Sequence, residues 1–190
     1  MSTRSPRRSA SDRPQASGTA ERIVLRVGPP AHGGHCVARP DGDPAGHVVF
    51  VRHTLPGETV RAVLTEKNAR TWRADAVEVL SASPDRVRPV WPEAGPGGVG
   101  GGELSHVALP AQRTWKRWVL ADCLRRIGGE EVAAAVSALP EARGAAAVPV
   151  EPMPGDAAAE ASDGSQERRW AGAGTRTRVA LSVTNDGLAG

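Results

Sequence analysis

Residues 47–80 read HVVFVRHTLPGETVRAVLTEKNARTWRADAVEVL. Three runs of apolar and β-branched residues are divided there by two turn signals. His47-Val48-Val49-Phe50-Val51 is the most apolar run, and Leu55-Pro56-Gly57-Glu58 turns the chain after it. Thr59–Thr65 then alternates with a period of two, and so does Thr71–Leu80 beyond the polar tip Glu66-Lys67-Asn68-Ala69-Arg70. Upstream, Ile23–Val27 and His35–Arg39 have the same texture. Gly28-Pro29-Pro30-Ala31-His32-Gly33-Gly34 is expected to break the chain between them, and an Asp/Gly/Pro turn spans Pro40–Gly46. Five short strands at such close spacing indicate a small closed barrel of the OB-like kind, with Phe50 in its core.

The rest of the chain divides around that barrel. The expected fold is mainly β: a five-stranded OB-like barrel over residues 21–88, then a Gly-rich loop, one amphipathic helix and a mobile C-terminal region. Residues 1–20 are Ser, Arg and Pro with little to bury, and predict a disordered basic tail. Residues 89–139 hold the Gly-rich loop and a helical segment. The run Gly95-Pro96-Gly97-Gly98-Val99-Gly100-Gly101-Gly102 lacks the Lys-Ser/Thr pair of a phosphate loop, and no strand feeds into it. The periodicity predicts a helix over Leu109–Ile127, with Pro110 in its first turn, Gly128 as its stop, and Ala111, Trp115, Val119 and Cys123 on one face. Trp115 and Trp118 are expected to pack. A second, shorter helix could run from Glu131 to Leu139. Residues 140–169 read as a low-complexity linker, and residues 170–190 as the truncated start of a further domain. In that last piece Asn185-Asp186-Gly187 is a hairpin turn with almost no returning arm.

Composition narrows the function classes. The 190 residues carry a formal net charge of +3, with 5 Trp, 1 Phe and no Tyr, so a large aromatic core is excluded. The acidic residues crowd between Gly129 and Trp170, which leaves the barrel region more basic than the total. Such a balance is compatible with a nucleic-acid partner. Two cysteines, Cys36 and Cys123, are too few for a metal knuckle or a disulfide framework and predict small buried residues. No apolar run is long enough for a membrane helix and no secretory h-region is present, so a cytoplasmic protein is expected.

Arg39, Arg52, Arg61, Lys67, Arg70 and Arg73 are the candidates for phosphate contact, and Trp72 is either a stacking platform or half-buried packing. His32, His35, His47 and His53 lack ligand spacing such as H-x3-H and are expected to be scattered polar positions, with no metal.

The ordered set Gly28-Pro-Pro-Ala-His-Gly-Gly-His-Cys-Val-Ala-Arg39, Val48-Val-Phe-Val-Arg52, Leu55-Pro-Gly-Glu58 and Ser83-Pro-Asp-Arg-Val87 resembles a TRAM domain. More narrowly, it is similar to the N-terminal part of SAM-dependent RNA uracil-C5 methyltransferases that modify 23S rRNA or tRNA. The resemblance implies an RNA-binding barrel that helps deliver RNA to a methyltransferase domain. In cluster-containing members a C-x7-C-x2-C array and a fourth cysteine ligate a [4Fe–4S] cluster. Here Trp91, Val99 and Gly102 stand at the three matching positions, so no cluster is expected. The family's SAM site, cysteine nucleophile and proton-accepting carboxylate would all lie beyond this chain. The expectation is an RNA-binding module, inactive alone, with rRNA or tRNA and a separate methyltransferase domain or subunit as partners, no membrane, and no cofactor of its own. The alternative is a component or remnant of an RNA methyltransferase without independent activity.

Overall fold

The computed structural model describes residues 21–40, 43, 46–89, 91–98, 100–143, 147–153 and 156. The expectations for the basic tail, for most of the linker and for residues 170–190 fall outside the described residues.

Five strands form: β1 (Arg22–Ala31), β2 (His35–Pro40), β3 (Val48–Arg52), β4 (Thr59–Lys67) and β5 (Thr71–Ser81). They close into a barrel in the order β1-β2-β3-β5-β4, as the alternating runs predict. Every neighbouring pair is antiparallel except β3 with β5, which is parallel. Closure leaves no unpaired sheet edge. The period of two sends Leu25, Val27, Cys36, Ala38, Val49, Val51, Val60, Ala62, Ala74 and Ala76 inward, each at most 5% exposed. Valine and alanine suffice because a five-stranded barrel has a narrow bore, so the scarcity of aromatics costs the core little.

Three expectations need correction. First, β1 does not stop at Val27 but runs on to Ala31, and the turn shrinks to His32-Gly33-Gly34. The register shifts between Val27 and Pro30, and such a bulge accommodates the glycine and prolines that otherwise break a ladder. A Cβ at position 28 would lie 2.7 Å from the carbonyl oxygen of Val37, so only glycine fits there. Second, Phe50 is not a core residue. It lies between the inward Val49 and Val51 and therefore faces outward, half-buried, opposite Val37 on β2 and Arg73 on β5. Third, the break in the helix falls at Gly129, whose φ of 77° is left-handed backbone, one residue beyond the expected stop.

That helix, α1 (Leu109–Ser137), includes the shorter one expected after the break. Its first half packs on the barrel through Trp115, which joins the core cluster, and through Val119. Trp118, expected to pack, is 40% exposed, and Ile127 is 87% exposed. Among the described residues the barrel meets the helix around Trp115 and Val119, and Ala133 beyond the break is also buried, while Trp118 and Ile127 stay exposed. Arg117 donates to the carbonyl oxygens of Ala142 and Ala147 and ties both residues to the helix. Both of those alanines are fully buried. No helix among the described residues is long and apolar enough to cross a membrane.

Candidate nucleic-acid interface

The registers give the barrel two unlike ends. At one end lie the close of β1, the start of β2, the close of β3, the start of β4 and the close of β5. This end is covered by residues 83–87 and 103–108. Arg86 pairs with Val107 in an isolated antiparallel bridge, and the amide of Ala108 donates to Asp85. His106, 4% exposed, lies 3.3 Å through Nε2 from the carbonyl oxygen of Thr54. Burial chiefly lowers its pKa, to about 4. Beneath, the Glu58 carboxylate is fully buried and accepts four hydrogen bonds: from Nε and Nη2 of Arg86, each at 2.7 Å, and from the amides of Leu55 and Ser83. Cys36, in the wall above, is buried, and burial pushes its thiol up to about 12, which suits an inert core residue.

The opposite end carries no such cover among the described residues. Here β2 closes, β3 opens, and the β4–β5 loop turns. The amide of Val48 donates to the carbonyl oxygen of Arg70, which ties the chain entering β3 to that loop. Trp72 lies on β5 between Val49 of β3 and Lys67 of β4. The His47 ring stacks on its indole from the β3 side, with centroids 4.3 Å apart and planes 21° from parallel. From the β4 side Lys67 sets its Nζ 4.9 Å from the ring centroid. His47 is held in place by Asp43, whose Oδ2 is 2.8 Å from both Nδ1 and the backbone nitrogen. Arg39 and Arg70 are exposed on the same end. Arg39 donates to the carbonyl oxygen of Gly46 at 2.9 Å and stands opposite Arg26 in the β1–β2 ladder. Like charges facing across a ladder are mildly unfavourable unless an anion neutralises them.

The seven residues expected to bind thus separate into two groups. Arg39, Lys67, Arg70 and Trp72 gather at the open end, with Arg73 beside them on the outer face of β5. Arg52 lies at the covered end, where it grips Asp75 through two bonds of 2.7 and 2.8 Å. Arg61, midway along β4, is paired with Glu78. Arg73 and Lys67 likewise have carboxylate partners, Glu66 and Glu21, about as exposed as the Glu78 that pairs with Arg61. Among the described residues, Arg39 and Arg70 have no carboxylate partner. Sequence reasoning missed His47, which only the parallel pairing of β3 with β5 brings onto Trp72.

The residues at the cluster-ligand positions do not fit an iron–sulfur cluster. Trp91 and Gly102 bring no thiolate, and Val99 falls outside the described residues. A Cβ at position 102 would sit 2.8 Å from Cβ of the buried Ala94 and 3.5 Å from the Trp91 ring. The indole also lies 3.5 Å from where a Cβ of residue 101 would be, so it packs against the glycine loop itself. No group of three or more His, Cys, Asp or Glu among the described residues is placed to hold a metal ion.

Comparison with known proteins agrees with the barrel. Residues 21–77 match the TRAM domain family. The chain is 38% identical over 185 residues to an uncharacterized RNA methyltransferase of Bifidobacterium longum, covering 94% of this chain and 36% of that protein. It is 50% identical over 111 residues to an uncharacterized RNA methyltransferase of Streptomyces avermitilis, covering 57% of this chain and 25% of that protein. A 23S rRNA (uracil(1939)-C(5))-methyltransferase of Shewanella amazonensis is 38% identical over 118 residues, which is 62% of this chain and 25% of the enzyme. The chain therefore spans only about a third or less of the length of these relatives. Residues 21–77 are a TRAM domain, in a chain similar to the N-terminal region of RNA methyltransferases.

Proposed function

We propose that this chain is an RNA-holding module that supplies substrate grip to a SAM-dependent RNA uracil-C5 methyltransferase, with rRNA as its RNA. The observation that carries this reading is the open barrel end, where Trp72 and His47 lie among Lys67, Arg70 and Arg39. Basic side chains around an aromatic surface on an OB-like barrel suit a nucleic-acid backbone and its bases. The name of the Shewanella relative supports rRNA as the target. Arg52, which grips the nearly buried Asp75, stands apart from this group, and Arg61 midway along β4 stays a candidate contact beside it. The reading keeps residues 21–88 as the binding unit, residues 89–139 as its helical extension, and the cytoplasm as its place of work.

Binding of structured RNA, titrated at several salt concentrations, tests it. Affinity should fall steeply with salt, because each phosphate contact releases counterions. Arg70→Ala together with Arg73→Ala should weaken it further. No binding at low salt overturns the reading. The purified chain alone should transfer no methyl group from SAM to RNA.

A further inference from the structure

We infer that the open end of the barrel holds one unpaired nucleobase, stacked on the Trp72 indole in the place now taken by Lys67. The inference deepens the RNA reading above and rests on it. It makes the module a reader of single-stranded or looped RNA rather than of duplex.

The two sides of Trp72 are unlike. The His47 ring is fixed there by two contacts to Asp43, and stacks on the indole at 4.3 Å. That side is built. Lys67 is a long aliphatic stem with a charged head, 46% exposed, resting on the ring and paired with an equally exposed Glu21. An exposed ion pair and an exposed cation–π contact are each weaker than stacking of a base on an indole. A base can therefore displace the ammonium. The indole is then sandwiched between an imidazole and a base, and the His47 side needs no rearrangement.

The displaced lysine has somewhere to go. A base stacked on Trp72 brings its own phosphate within reach of the β4–β5 loop, where Lys67 and Arg70 both stand. Lys67 thus exchanges a carboxylate for a phosphate, and the site gains charge neutralisation as it gains stacking. A base inside a duplex already stacks on its neighbours and cannot enter this slot without being extruded. Hence the preference for unpaired RNA.

The test uses the full chain and two RNAs of equal length, a single strand carrying one fluorescent aminopurine and a perfectly paired duplex. Aminopurine emission is quenched when the base stacks, so the wild-type protein itself gives the answer. We expect quenching on binding, and roughly ten-fold weaker single-strand affinity in Trp72→Leu, with duplex affinity unchanged. Leucine keeps apolar packing against the core while removing the π surface. Trp72→Phe should retain the quenching. Lys67→Met should retain it too, with a shallower salt dependence. If single-stranded RNA binds without quenching, or if Trp72→Leu binds both RNAs as wild type does, the slot is wrong while the RNA reading stands. If neither RNA binds at low salt, both fall together.

Discussion

Glu58 and Arg86, 28 residues apart, form a two-pronged ion pair under the covered end of the barrel. The carboxylate is wholly buried and the guanidinium 21% exposed. Arg86 also donates to the carbonyl oxygen of His53, and Glu58 also accepts from the amides of Leu55 and Ser83. Two segments that stand far apart in the sequence, Leu55-Pro-Gly-Glu58 and Ser83-Pro-Asp-Arg-Val87, are thereby locked together. Removing Arg86 leaves a buried charge with only two amides around it. Arg86→Ala is expected to destabilise the fold by about 3–5 kcal/mol in urea denaturation. Glu58→Gln in the same chain should recover part of that loss, because no charge remains buried and the amide oxygen still accepts from one of the two backbone amides, which donate to different carboxylate oxygens in the wild type. A double variant no more stable than Arg86→Ala contradicts this account.

Acid should weaken the protein in two stages. His106 is kept neutral by burial, with its pKa near 4 in the fold against 6.5 for the free side chain. Between those values the unfolded chain takes up a proton that the folded chain refuses, so stability falls as pH falls from 6.5 towards 4. Across that window the loss from His106 is about 3 kcal/mol. Burial lowers His35 and His53 as well, which adds in the same direction. Glu58 acts lower down. Burial raises its pKa, but the Arg86 guanidinium and the amides of Leu55 and Ser83 together outweigh burial and hold it below the usual glutamate value. Its contribution is complete above the unfolded glutamate pKa and disappears as pH falls through the depressed folded one. Unfolding free energy measured from pH 7 to pH 4 should show the first stage, and His106→Gln should flatten it. An unchanged slope in that variant would assign the effect to other groups.

Strand positions were legible in the sequence because a half-buried strand writes its period of two directly into residue type. Val49 and Val51 fixed the inward side of β3 without help from the fold. The same alternation assigns Phe50 to the outside, but the general tendency of phenylalanine to be buried pointed the other way, and geometry prevailed. The continuation of β1 through Gly28-Pro29-Pro30 was hidden because those residues usually end strands, and a bulge is a property of the pairing rather than of one strand. The open-end site was half legible. Trp72 and the basic residues of the β4–β5 loop were visible as neighbours in sequence. His47 reaches Trp72 only through the parallel β3–β5 pairing, a contact that no spacing along the chain announces.

Ion pairing should sort the arginines by what their removal damages. Arg52 holds Asp75, whose side chain is only 11% exposed, so Arg52→Ala strands a nearly buried carboxylate. A stability loss of about 1–3 kcal/mol is expected, with little change in RNA affinity per folded molecule. Arg70 is exposed on the loop tip and has no carboxylate partner among the described residues. Arg70→Ala should leave the melting temperature unchanged, weaken RNA binding, and reduce the slope of log affinity against log salt by about one. Thermal melts and salt-dependent titrations of the two variants, run in parallel, give the comparison. The reverse pattern would move the interface from the open end to the outer wall near β3.

The glycine loop offers a separate test of what replaces the missing thiolates. Gly102 lies under Ala94, which is 2% exposed, and beside the Trp91 ring, with no room for a methyl group that would fall 2.8 Å from Cβ of Ala94. Gly102→Ala should therefore force the loop apart at a cost of about 1–3 kcal/mol, the range for an overpacked methyl. Trp91→Ala removes the ring that Gly101 and Gly102 pack against. Both variants should expose residues 91–102 to limited proteolysis well before the barrel unfolds, since the strands do not depend on that contact. Gly97→Ala is the informative control. Its φ of 74° is strained for alanine, but nothing stands within 4 Å of the new methyl, so it should cost only the backbone term of about 1–2 kcal/mol. Protease resistance of Gly102→Ala equal to wild type would show that the loop is not held by this packing.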